Sequence, residues 1–268
     1  MAEDPMTLSL DLLRRLPPAK INENLETLIK LCPSLTDELV ASVDQPSWIK
    51  YDKQAQNREY LCCDYNRDGD SFRSPWSNEY DPPLQDGTQP PQKIRDLEIR
   101  ANEAFNTYRQ LYYDGGLSSV YLWELEGSSG FAGVVLFKKT LDDQERTPGS
   151  WDSLHVFEVF EGTRSSKYQL TSTIMLSLGR KETNSNLQLA GSLTRQYNAD
   201  LPVKDPSSHI VNMGKMIEDS EAKMRNQLQE VYFGKTKDIV ATLRSVDSLD
   251  KIRLAQDFQK ELMGKLRN

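Results

Sequence analysis

Long apolar runs are missing from this sequence: no stretch approaches the ~20 residues needed to cross a bilayer, so it does not read as a membrane protein. Glu3 and Asp4 stand at the amino terminus and no long apolar core follows them, which argues against a secretory signal. Cysteine is scarce. Cys32, Cys62 and Cys63 are odd in number and two are adjacent, which suits neither a disulfide framework nor the CxxC spacing of a zinc site, and points to a reducing cytoplasm. Histidine is scarcer still: His155 and His209 are the only two, and neither is flanked by a nucleophile or ligand at a recognisable spacing, so both read as structural. GxSxG, HExxH and GxGxxG are absent. Gly234-Lys235-Thr236 resembles the end of a P-loop, but Gln229 stands where the earlier glycine belongs and the preceding residues read as helix. Excess positive charge is lacking too. Lys and Arg total 33 against 40 Asp and Glu, a net charge of −7, which excludes a domain-wide basic surface for nucleic acid. The chain reads as non-enzymatic, with no cofactor and no metal.

What is present is an ordinary globular composition, 37% apolar and 27% charged, in 268 residues that suffice for one large domain or two small ones. Met6, Leu10, Leu13 and Leu16 recur at helical spacing until Pro17-Pro18; Ile21, Leu25, Leu28 and Ile29 do so until Pro33; Leu35, Leu39 and Val43 follow Ser34. Three helices this short are marginal alone and must pack on one another or on another chain. From about Trp48 to Gln92, Pro, Asp, Asn and Tyr dominate without periodicity, which predicts ordered turns and extended pieces anchored by Tyr65, Trp76 and Tyr80. A helix then carries Ile94, Leu97, Ala101, Ala104, Phe105, Tyr108, Leu111 and Tyr112 on one stripe and ends at Asp114-Gly115-Gly116.

Five strand candidates follow, at 117–126, 130–138, 151–161, 167–179 and 185–196, and their short turns predict an antiparallel meander. In the first, Val120 and Leu122 alternate against Tyr121 and Trp123, and one side calls for a helical cover. Beyond Pro206 the segment that ends at Leu243, about 37 residues and about 55 Å at ~1.5 Å per residue, carries a helical stripe that starts at Ile210. A meander leaves two edges, so dimerisation by edge pairing or by the long helix is expected. After Val246, Leu249, Ile252, Ala255, Phe258, Leu262, Met263 and Leu266 form an amphipathic stripe beside Lys251, Arg253, Lys260, Lys265 and Arg267, suited to helix-in-groove binding.

The segment from Cys63 to Pro83 is the most specific. Asp64, Asn66, Asp68 and Gly69 imitate positions 1, 3, 5 and 6 of an EF-hand loop, but position 12 is Pro75, which has no side-chain oxygen. Pro75, Pro82 and Pro83 also oppose an exiting helix. The alternative function this leaves open is a calcium-responsive cytosolic adaptor that switches on the Asp64-Asp70 turn.

Taken whole, the segment resembles the β subunit of the heterodimeric F-actin capping protein. Arg14-Arg15-Leu16-Pro17-Pro18, Ser42-Val43-Asp44-Gln45-Pro46, Ser118-Ser119-Val120-Tyr121-Leu122-Trp123, Gly191-Ser192-Leu193-Thr194-Arg195-Gln196 and Tyr232-Phe233-Gly234-Lys235-Thr236-Lys237-Asp238-Ile239-Val240 also look like motifs of that family, in its order. The resemblance runs from about Leu10 to about Val246. It implies an α+β fold that is half of a pseudo-symmetric heterodimer: a helical stalk (1–47), a turn-rich segment with a connecting helix (48–116), an antiparallel sheet (117–197), a long covering helix (205–245) and an actin-binding tail (246–268). It further implies calcium-independent binding to filament barbed ends in the cytoplasmic actin cytoskeleton, as an obligate complex with an α subunit. The tail residues Leu249, Lys251, Ile252, Arg253, Phe258, Leu262, Met263, Lys265, Leu266 and Arg267 would meet actin. Asp44, Asp64 and Tyr80 would receive capping-protein-interacting-motif peptides, and a myotrophin-like inhibitor and phosphoinositides would be further regulators.

Overall fold

The structure is a computed structural model that describes residues 4–15, 20–43, 45–125, 127, 129–141, 148–182, 185–230 and 234. Three helices open the chain, α1 (Pro5–Arg15), α2 (Ile21–Leu31) and α3 (Thr36–Ser42), the last entered through a 3-10 turn at Pro33–Leu35. Five short strands make two small sheets: β1 (Trp48–Asp52) with β2 (Arg58–Cys62), and β3 (Arg67–Asp68), β4 (Ser71–Arg73) and β5 (Tyr80–Asp81) in that order. Helix α4 (Gln92–Tyr112) leads into β6 (Leu117–Glu124), β7 (Gly130–Leu141), β8 (Gly149–Glu161), β9 (Ser165–Glu182) and β10 (Ser185–Pro202), and α5 (Ser207–Gln229) follows. The chain divides into two compact units, Met1–Ala222 and Lys223–Asn268. The contacts described below belong to the first.

The five long strands form one sheet in the order β10-β9-β8-β7-β6, every pair antiparallel, as the short turns between apolar runs predict. β7 to β10 are longer than the sequence pattern suggests, whereas β6 ends at Glu124, two residues sooner. β9 and β10 pair along their whole length, from Ser165↔Pro202 to Glu182↔Ser185, whereas β8 stops beside β9 at Gly149↔Leu178. A glycine stands opposite the bulky Leu122 for steric reasons: a Cβ on Gly133 would lie 2.2 Å from Leu122 Cδ2.

Both faces of the sheet are covered. Trp151, Phe157 and Val159 of β8 and Val120 and Leu122 of β6 point toward Ile94, Leu97, Ala101 and Phe105 of α4 and Met213 and Ile217 of α5. Full burial of such a side chain is worth about 1.5–3 kcal/mol. On the opposite face, Tyr121, Val134, Leu136, Leu154 and Met175 pack on Leu61 and Cys63 of the turn-rich segment. The alternation in β6 therefore signals two covers rather than one. Asp114-Gly115-Gly116 closes α4 as expected, with Gly115 at φ +74°. The Asp205 carboxylate accepts the Ser208 N–H at 2.9 Å at the start of α5.

Among the described residues, the apolar side chains that the three amino-terminal helices bury against one another are Leu25, Leu28 and Leu39, with Met6, Leu10, Leu13, Ile29, Leu35 and Val43 around them. Leu8, Leu12 and Leu31 are exposed, Leu31 at 70%. Among the described residues no helix is long and apolar enough to cross a membrane. The predicted helix beyond residue 230 and the amphipathic tail lie outside the described residues, apart from Gly234.

Two polar nodes hold α5 on the sheet. The buried Glu221 carboxylate accepts from Tyr113 Oη (2.5 Å), Tyr108 Oη (2.7 Å) and Ser153 Oγ (3.1 Å), and lies 3.0 Å from His155 Nε2. Burial pushes this carboxyl up, but hydrogen bonding and charge from His155 and the two phenols outweigh it and hold the group below the usual carboxylate range. At the helix start, His209 Nδ1 lies 2.7 Å from Tyr168 Oη and the ring stands edge-on to Phe131. Burial lowers its pKa, and the Glu161 carboxylate only partly opposes this. Both histidines are thus packed into the fold.

A pH dependence follows. A depressed imidazole pKa favours the neutral form, so the His209 contribution is complete above the ordinary value of 6.5 and is lost as pH falls from there toward the folded pKa. A depressed carboxyl pKa adds stability above 4.5 that is lost as pH falls through its own folded value. Thermal unfolding should therefore show two declines toward acid, and His209→Gln should remove the upper one alone. A melting temperature that stays flat from pH 7.5 to 5.5 would contradict this.

Candidate functional site

The motif at 63–83 is a set of turns tied to α4 and β6. A 3-10 turn at Asp64–Asn66 opens it. Asn66 is buried; its Oδ1 accepts the Cys63 N–H at 2.8 Å and its Nδ2 donates to the Arg73 carbonyl at 2.8 Å. The oxygen at position 3 of the imitated calcium loop is thus engaged by the protein's own backbone. Asp70 is fully exposed, and the residues that follow form strand β4 rather than a helix. Gly69 supplies the positive φ (+57°) of the β3–β4 turn. These are turn-building roles, and they disfavour a calcium switch.

Asp52 organises the second half. It accepts from the backbone N–H groups of Gln54 (2.8 Å), Ala55 (3.1 Å) and Ser77 (3.1 Å) and from Ser74 Oγ. Burial raises its pKa, and the bonds from Ser74, Ser77 and Ala55 more than reverse that. Trp76 is fixed by its Nε1–H on the Glu59 carbonyl (2.9 Å) and by the Arg58 guanidinium 3.4 Å from its ring centroid.

The motif joins the rest of the fold at one buried charge cluster. Arg73 makes a two-pronged pair with Glu98 of α4, Nη1 to Oε1 at 2.8 Å and Nη2 to Oε2 at 2.7 Å. Arg95 also donates to Glu98 Oε1 and, at 3.0 Å, to the Trp76 carbonyl. The Leu122 N–H of β6 donates to Glu98 Oε2 at 2.7 Å. Glu98 is 0% exposed. Burial opposes the Arg73 charge, and Glu98 outweighs that penalty and raises the guanidinium pKa.

Between this motif and β6 lies a cavity of about 860 Å³, lined by Tyr65, Asn66, Arg67, Asp68, Arg73 and Tyr80, by Thr88–Pro91 and by Leu122–Leu125. Tyr65 and Trp123 stack nearly parallel, 5.7 Å between centroids and 12° between planes. Tyr80 lines the cavity; its hydroxyl donates to the Thr88 carbonyl at 2.6 Å, and its ring lies so close to Gly87 that a Cβ there would be 2.5 Å away. Asp64 is half-exposed, 3.7 Å from Arg67, and not part of the lining. Asp44 and all ten tail residues lie outside the described residues. The sequence reading missed Glu98, Trp123 and Glu124. For Glu98 a signal was present: it falls between Ile94, Ala101 and Phe105 on the apolar stripe, where a carboxylate needs a buried partner.

A sequence profile of the family described as F-actin capping protein, beta subunit, matches residues 6–240. The chain belongs to this family. The similarity to F-actin capping protein beta subunits extends along the whole length. The chain is 51% identical to the F-actin-capping protein subunit beta of Neurospora crassa, covering 98% of each chain. It is 49% identical to that of Caenorhabditis elegans (100% of this chain, 99% of the relative) and 53% identical to that of Drosophila melanogaster (98% and 95%). Among solved structures it is similar to a homodimeric actin capping protein alpha subunit from Plasmodium berghei, with a TM-score of 0.55 at 15% identity over 91% of this chain and 97% of the other. That likeness is one of fold. Two chains with so little sequence in common share the plan of helices and sheet found in this capping protein family member.

Proposed function

We propose that this chain is the β half of a heterodimeric capping protein that binds the barbed end of an actin filament without calcium and blocks subunit addition and loss. The observation that carries this reading is the full-length identity of about half to proteins named F-actin-capping protein subunit beta. Three features of the fold support an obligate α partner. Among the described residues, the amino-terminal helices bury three leucines of their own and expose others, as a stalk intertwined with a second chain would. β10 pairs only with β9 among the described residues, which leaves an edge for a partner's sheet. The likeness to an α subunit suits a pseudo-symmetric pair.

Actin contact is assigned to the amphipathic tail. Leu249, Ile252, Phe258, Leu262, Met263 and Leu266 would enter a groove of the terminal protomer, and Lys251, Arg253, Lys265 and Arg267 would steer it toward acidic actin. The setting is the cytoplasmic actin cytoskeleton. A capping-protein-interacting-motif peptide would be received near Asp44, Asp64 and Tyr80, while a myotrophin-like inhibitor and phosphoinositides would act mainly on the α side. Elongation from actin seeds with free barbed ends tests the function. The co-expressed heterodimer should stop elongation at concentrations far below that of actin and the isolated chain should not, whereas full elongation with a folded heterodimer would refute the reading. For the peptide site, charge reversal at Asp44 and Asp64 should weaken binding of a basic regulatory peptide at least tenfold. Unchanged affinity would remove both residues from it.

A further inference from the structure

The two edges of the long sheet are treated in opposite ways. At β6, side chains of α4 take the place of a further strand. The Val120 N–H donates to Asn102 Oδ1 at 2.9 Å, Asn102 Nδ2 donates to the Val120 carbonyl at 2.9 Å, and the Leu122 N–H donates to Glu98 Oε2 at 2.7 Å. Asn102 and Glu98 are both buried. This edge is closed to an incoming strand. The β10 edge lacks the usual guards. It pairs with β9 along all 18 residues without a bulge, from Ser185↔Glu182 to Pro202↔Ser165. It has no lysine, its proline stands at the last position, and its charges are Arg195 and Asp200. Exposed edges are ordinarily blunted by lysine, proline or bulges.

We propose that, without an α subunit, the β10 edge takes a second copy of this chain, giving a closed homodimer whose continuous antiparallel sheet has five strands from each copy. A strand that pairs antiparallel with its own copy makes a two-fold, self-complementary contact. Side chains alternate between faces, and the two-fold keeps like faces together. Tyr197 and Leu201, on the helix-covered face, then lie beside that same face of the copy, and the exposed Gln196, Asn198 and Asp200 meet on the other. With the axis at Asn198, Arg195 stands opposite Leu201 and Asp200 opposite Gln196, so no like charges are paired. The contact uses both β10 edges. What remains at either end of the joined sheet is β6, already closed by Asn102 and Glu98. Assembly therefore stops at two chains. In the capping complex the α subunit holds this edge, so the homodimer is a competing form of the chain and not a part of that complex.

Sedimentation velocity of the full chain, produced alone, tests this. It should show one species of twice the chain mass, and hydrogen exchange should be slow at β10 as well as at β6. Gln196→Lys/Asn198→Lys puts like charges opposite one another across an axis at this part of the strand, and both positions are exposed, which spares the fold. This variant should sediment as a monomer with an unchanged circular dichroism spectrum, its β10 amides exchanging at least tenfold faster and its β6 amides as before. A monomeric parent chain, a parent that forms only larger aggregates, or a dimer that survives both lysines with β10 still protected overturns the proposal. The capping reading is tested separately, on the co-expressed complex, and stands or falls without the homodimer.

Discussion

Replacing Glu98 by alanine should destabilise the protein by about 3–5 kcal/mol, the cost of stripping a buried ionic cluster of one partner. Arg73 and Arg95 are almost wholly buried and both donate to this carboxylate. Alanine would leave two guanidinium groups without their counter-charge and the Leu122 N–H without its acceptor. Marginal stability of about 5–15 kcal/mol for a folded domain makes that loss a large fraction of the whole. Glu98→Gln should cost less, because the amide oxygen still accepts from one arginine or from Leu122. Denaturant unfolding of the two variants beside the wild type measures the effect. A loss below about 1 kcal/mol for the alanine variant would mean that the cluster is not what joins the motif, α4 and β6.

Deleting residues 246–268 should weaken barbed-end capping by two orders of magnitude or more while the heterodimer stays intact. The stripe from Leu249 to Leu266 would bury several large apolar side chains on actin, each worth about 1.5–3 kcal/mol when fully removed from water, less the entropy of ordering the segment. Ten-fold in affinity corresponds to about 1.4 kcal/mol, so two such anchors already account for the expected loss. Among the described residues, the core of the first unit is built from α4, the sheet and the amino-terminal part of α5. Pyrene-actin elongation with the truncated complex decides the matter, and gel filtration shows whether the complex survives. Unchanged capping would remove the tail from the actin site.

Much of the fold is written in local pattern. The α4 stripe, its glycine stop, and five apolar runs separated by short turns lead directly to a helix and an antiparallel meander, because each depends on residues close together in sequence. What the sequence conceals is long-range pairing between polar groups. Arg73, Glu98 and Leu122 are separated by about twenty-five residues at each step, and nothing in a periodicity names which arginine a buried glutamate will meet. The same holds for Tyr65 and Trp123. Tyr65 reads alone as an aromatic anchor and Trp123 as part of one face of a strand, and only the fold stacks them. The imitation of a calcium loop misleads for a related reason: Asp and Asn serve turns and cations equally well, and the direction of the Asn66 side chain decides between them.

The outer edge of β10 has a consequence for supply. An 18-residue edge strand presents about nine outward N–H and C=O pairs along one line. Such a seam is satisfied along its length by a matching strand or stays open to any strand that arrives first, another copy of this chain included. A cell that made this chain in excess of its partner would accumulate adhesive subunits. Balanced synthesis of the two chains, or prompt removal of the surplus, is therefore as much a requirement of this fold as any contact within it.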